Sequence, residues 1–108
     1  MPDILSRLRI RIPDIDDNIA DELIKTATDR ILLRVGLRGE IPKELESICV
    51  EVVTAMYNRH LMNHEGVDTE RVDVFSVKFV DDLLAKYEKE FEEYKKMSDE
   101  KRGKLRFI

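Results

Sequence analysis

Residues 41–66 read IPKELESICVEVVTAMYNRHLMNHEG, and the spacing of their apolar side chains decides the fold. Leu45, Ile48, Cys49, Val52, Val53, Met56 and His60 or Leu61 recur at helical intervals and mark a buried face. Val50 and Ala55 carry apolar character further round the helix, which places it centrally, with neighbours on more than one side. Pro42 stands in the first turn, where a missing N–H costs nothing. Val50, Val52 and Val53 are weak helix formers, so packing rather than propensity must hold this segment. Gly66 closes it.

Working outward toward the start, Asp14–Val35 is the helix that partners this one. Asp14, Asp16 and Asp17 offer capping oxygens and favourable charge for its amino end. Ile15, Ile19, Leu23, Ala27, Ile31 and Val35 recur every four residues, and Ala20, Ile24 and Leu32 broaden the stripe. Gly36 suits the carboxyl-terminal cap. Leu37–Ile41 is short enough only to fold the two helices against each other. Upstream, Ile4, Leu5, Leu8 and Ile12 fit a short helix whose arginines face water, closed by Pro13.

Beyond Gly66 the pattern changes. Val72 and Val74 alternate with Asp73, whereas Phe75, Val77 and Phe79 alternate on the opposite parity. This predicts an extended, hairpin-like arm over about residues 67–80, bent between 73 and 76 and leaning on the helices or on a neighbouring molecule. Asp81 and Asp82 are candidate caps for a last helix bearing Leu83, Leu84, Tyr87, Phe91, Tyr94 and Met97 on a narrow stripe. Residues 99–108 read as a basic tail, with Leu105, Phe107 and Ile108 alternating with Lys104 and Arg106, suited to docking on a partner. The expected architecture is therefore mainly all-α. Three main helices and a short amino-terminal helix form one domain over residues 1–108, with the arm inserted before the last helix.

The composition narrows the functions available. A charged fraction of 39% points to long solvated helix faces, and the net charge of −4 gives no general attraction to nucleic acid. Arg7, Arg9 and Arg11 break up the apolar residues of the first segment, so no secretory leader is read there, and no apolar run is long enough to span a bilayer. The single cysteine, Cys49, falls on the buried face, in keeping with a reducing compartment. His60 and His64 are four apart, but Leu61 stands where a metalloprotease helix carries glutamate, and no further ligand pattern joins them. No phosphate-binding loop or nucleophile motif is present. No catalytic residue, cofactor or metal site is assigned. Tyr57, Asn58 and Arg59 read as a polar helix end whose ring packs inward.

Several short motifs occur in a telling order: Asp17-Asn18-Ile19-Ala20-Asp21-Glu22-Leu23-Ile24, then Ile41-Pro42-Lys43-Glu44-Leu45, Tyr57-Asn58-Arg59, Glu65-Gly66-Val67, and Phe75-Ser76-Val77-Lys78-Phe79. Together they resemble the head–tail connector (adaptor) proteins of tailed bacteriophages, over most of the chain. The chain departs from the pattern before Ser76-Val77, where Val72-Asp73-Val74 stands in place of a glycine.

The resemblance implies a non-enzymatic structural protein, made in the bacterial host cytoplasm and working at the virion head–tail junction. It implies a ring, commonly twelvefold, beneath the portal protein, with a surface for the stopper or tail-completion protein and a passage for DNA. The isolated chain is then a monomer or weak oligomer. On this reading Arg71, Val72, Val74, Phe75, Val77, Phe79, Leu105, Phe107 and Ile108 are the subunit or portal contacts, and Tyr57, Asn58 and Arg59 position the arm. The alternatives are a small cytosolic helical regulator, a nucleic-acid-binding module using Arg7, Arg9 and Arg11, and a metal-dependent hydrolase built on His60 and His64.

Overall fold

A cap at each end sets the limits of the first long helix. In the computed structural model, which describes residues 4–65, 74 and 76–106 and side chains for 4–62, 74 and 76–98, the Asp16 carboxylate accepts the Ile19 N–H at 3.0 Å. This starts α2, Asp17–Val35. Its other end is a Schellman motif: Gly36 takes the left-handed conformation at φ 70°, its N–H reaching Leu33 O, while Leu37 N–H reaches Leu32 O at 2.9 Å. A short helix α1, Ile4–Arg11, precedes it. After a single 3-10 turn, Lys43–Leu45, the chain enters α3, Glu46–Glu65. The carboxyl-terminal half holds α4, Val77–Leu84, a 3-10 turn Ala85–Tyr87, and α5, Glu88–Arg106. No strand occurs among the described residues, so the fold is all-α.

The core lies where α2 and α3 pack, with α1 across α3 and the α4–α5 arm laid against α2. Leu23, Ala27 and Ile31 from α2 are fully buried, as are Cys49, Val50, Val53 and Met56 from α3. Val50 is thus inward-facing along with the Val52–Val53 pair, which is why α3 reads as apolar on a broad arc. Ala20 and Ala27 are both fully buried, and small side chains there bring α2 close to its neighbours. Leu8 anchors α1, Val80 and Leu84 anchor α4, and among the described residues Phe91 is the fully buried side chain of α5. Among the described residues no polar or charged residue is buried, so the interior carries no ionic network to satisfy.

Three expectations need correcting. The extended arm does not reach residue 80: Ser76 caps a helix, its hydroxyl accepting Phe79 N–H at 3.1 Å, and Val77–Val80 form the first turn of α4. Alternation at Val77 and Phe79 misled because Val80 and Leu84, four apart, share the buried face, and burial there outweighs β-branched propensity. The rest of the expected arm, apart from Val74 and Ser76, lies outside the described residues. Second, Asp81 and Asp82 do not start the last helix but lie inside α4. Third, residues 99–106 are not an extended tail, because the backbone of α5 stays helical through Gly103 to Arg106. Phe107 and Ile108 lie outside the described residues.

Candidate interaction surface

The sequence-derived contact residues divide by burial. Tyr57 is buried at the end of α3, with its ring 6.3 Å from that of His60 and tilted by 34°, while Asn58 is exposed and Arg59 half-buried. Val74 is 3% exposed and belongs to the same core cluster as Tyr57 and Val80. It therefore pins the chain just ahead of α4 to the body. Phe79 is half-buried against that core, whereas Val77 is 54% exposed. Of the expected contacts, Val77 is thus the apolar side chain presented to solvent. Arg71, Val72, Phe75, Phe107 and Ile108, and the side chain of Leu105, lie outside the described residues.

A polar clamp, not anticipated from the sequence, sets the position of α4 and α5. Arg30 donates from Nε to Asp81 Oδ1 at 3.2 Å and from Nη2 to Asp81 Oδ2 at 3.0 Å. One turn along α2, Arg34 donates to the backbone oxygen of Asp81 at 3.3 Å and forms an ion pair with Glu88. Two arginines four apart on α2 thereby hold the α4–α5 junction on both sides of the 3-10 turn. The fork geometry of guanidinium makes such bidentate pairing directional as well as attractive. The signal in the sequence was the Arg30, Arg34 spacing, but their partners lie about fifty residues away and no local pattern points to them.

A groove of about 310 Å³ runs between the start of α3 and α5. Leu45, Ile48, Tyr87, Tyr94 and Met97 give it an apolar floor. Glu44, Glu51, Glu90 and Glu93, all exposed, stand around it, and no lysine or arginine lines it. Burial raises the pKa of the Tyr87 hydroxyl above its ordinary value, and the charges of Glu51 and Glu90 raise it further, against a weaker opposing effect of Arg11. The phenol is thus held neutral, as a hydrogen-bond donor, in a negative setting. Tyr87, Phe91, Tyr94 and Met97 read from sequence as one narrow stripe; among the described residues Phe91 is fully buried, while Tyr87 and Tyr94 are half-buried against the core. Tyr87, Tyr94 and Met97 also line the groove.

The remaining candidates for chemistry find local partners. Arg7 donates to Ser47 Oγ at 2.9 Å and approaches Glu46 at 3.8 Å, and Arg9 meets Asp17 at 2.7 Å. Two of the three arginines expected in water are therefore tied to α2 and α3. His60 lies beside Tyr57, and the side chain of His64 is outside the described residues. No cluster of three or more metal-ligating side chains forms among the described residues. Burial lifts the Cys49 thiol to about 11, only partly offset by the Thr28 hydroxyl 3.7 Å away. A thiol so protonated is a packing group.

Residues 2–95 match the family model described as phage gp6-like head-tail connector protein. The chain belongs to that family. No curated protein and no solved structure matches it. The match takes in α1 to α4, the clamp and most of the groove, and stops short of residues 96–108. The connector family is a structural one, with its place at the phage head–tail junction. Among the described residues no helix is long and apolar enough to cross a membrane.

Proposed function

We propose that this connector assembles as a ring, twelvefold in the virion, beneath the portal protein and offers its far side to the stopper or tail-completion protein, with DNA passing through without sequence-specific contact. The family match over residues 2–95 carries this reading. The structure is consistent with it in one specific way. Val77 at the start of α4 is exposed, and α5 with the start of α3 frames the acidic groove, so both could meet a partner. Val77, together with Arg71, Val72, Phe75 and Phe79, forms the proposed portal or subunit contact, while Val74 and the Tyr57–Asn58–Arg59 helix end hold that segment in place. Synthesis in the host cytoplasm precedes recruitment to the capsid vertex.

Co-sedimentation with purified portal rings tests the proposal. Wild-type protein is expected to pellet with the rings at a fixed stoichiometry, and Val77→Asp to lose that binding with unchanged helicity by circular dichroism. Absence of wild-type binding to portal rings would refute the reading. The nucleic-acid alternative loses support from the engagement of Arg7 and Arg9 with Ser47, Glu46 and Asp17.

A further inference from the structure

The acidic groove between α3 and α5 has a chemically matched occupant in the chain itself. Residues 101–108, KRGKLRFI, contain four basic residues, no acidic one, and three large apolar residues. They set a sharp polarity of charge: the whole chain carries −4, so without the four positive charges of this segment the other hundred residues stand at −8. The groove is the counterpart. It has carboxylates at Glu44, Glu51, Glu90 and Glu93 around the rings of Tyr87 and Tyr94, an apolar floor under a negative rim.

Within its own chain the helical end of the segment is carried away from the groove. Met97 is the last groove residue on α5, and the helix continues unbroken to Arg106. At the helical rise of ~1.5 Å per residue, those nine residues carry the backbone about 13 Å onward, away from the groove. A second copy can present the whole segment, including its apolar end, to the groove.

We propose that residues 101–108 of one copy dock in the α3–α5 groove of the next, the basic side chains meeting the glutamate rim and the apolar residues covering the floor. This inference rests on the ring assembly proposed above and names a contact that builds it. Each copy gives its segment to one neighbour and receives one from the other, a heterologous contact that closes when the rotation between copies closes. The segment lies beyond residues 2–95, the part of the chain that the family model matches.

Charge exchange in the full chain tests it, with self-association measured by sedimentation velocity at low salt. Two variants each reverse one side: Glu51→Lys with Glu90→Lys in the groove, and Lys101→Glu, Arg102→Glu, Lys104→Glu with Arg106→Glu in the segment. The groove glutamates are exposed, so unchanged circular dichroism is expected for that variant, and circular dichroism of the segment variant, whose new glutamates oppose the dipole at the end of α5, is recorded as its folding control. Wild type is expected to show association that weakens as salt rises. Either reversal weakens it by about tenfold or more, and an equimolar mixture of the two restores it, since each groove then finds an opposite segment. Failure of wild type to self-associate at any accessible concentration, wild-type association in either variant, or no rescue in the mixture would overturn the proposal. So would a groove variant that keeps self-association and loses only portal binding, because the occupant is then a portal segment. Wild-type recruitment to portal rings, measured in parallel, separates failure of this contact from failure of the connector reading.

Discussion

The Arg30–Asp81 pair yields the sharpest quantitative expectation. Both side chains are about one-third exposed or less, and the contact is bidentate at 3.2 and 3.0 Å. An exposed ion pair contributes ~0–1 kcal/mol, and doubled, charge-assisted hydrogen bonds with partial burial place this one at the upper end, about 1 kcal/mol. The double-mutant cycle of Arg30→Met and Asp81→Asn, read by urea unfolding, should therefore return a coupling energy of that size. Unfolding entropy scales with chain length, so over 108 residues the same loss lowers the melting temperature by about 4 °C. Raising salt should shrink the coupling only modestly, because partial burial limits screening. A coupling below about 0.3 kcal/mol would show that α4 is held by its apolar face alone and would refute the assignment of the clamp.

Phe91→Ala, at the fully buried anchor of α5, is expected to destabilise by about 3–5 kcal/mol in chemical denaturation, enough to loosen the groove wall. Ser76→Ala should cost about 1 kcal/mol while Ser76→Asp costs little, a contrast that distinguishes a helix cap from a residue in an extended arm. For Cys49, whose thiol is raised from 9.0 to about 11, the unfolded chain ionises first as pH rises. Its contribution is therefore complete below pH 9 and is lost as the pH passes from 9 through 11. The loss amounts to roughly 2–3 kcal/mol, and the alkaline decline of unfolding free energy should be shallower by that amount in Cys49→Ala. In the folded protein at pH 8 the thiol should resist disulfide reagents until denaturant is added.

The helices that line the core were legible because their signals are local and periodic. Leu23, Ala27 and Ile31 repeat at the helical period, and Asp16 and Gly36 supply caps of recognised chemistry at each end. The start of α4 was not, since Val77 and Phe79 alternate over so few residues that strand and helix periods coincide. The hydroxyl of Ser76 and the next turn at Val80 and Leu84 settle it. Tyr57 packing inward was readable from its register with Met56 and Val53. The Arg30–Asp81 clamp was not, because charge pairs across about fifty residues leave no mark in a linear pattern. The groove was half-readable: the Tyr87–Tyr94 stripe was visible, but whether a stripe is consumed by the core depends on how far α5 stands from α3, a tertiary distance.

The 3-10 turn Ala85–Tyr87 gives the molecule a mechanical asymmetry. Upstream of it, α4 is pinned by Val80, Leu84 and the clamp at Asp81; downstream, α5 is held near its beginning by Glu88 and Phe91 and then runs on to Arg106. Its length is about 28 Å, and its described core contacts, the fully buried Phe91 and the half-buried Tyr94, fall in its first two turns. Over that length a difference of ~10° in helix direction at the turn displaces Arg106 by about 5 Å but Phe91 by only about 1 Å. The geometry of this one turn therefore sets where the end of α5 stands far more than where its start does.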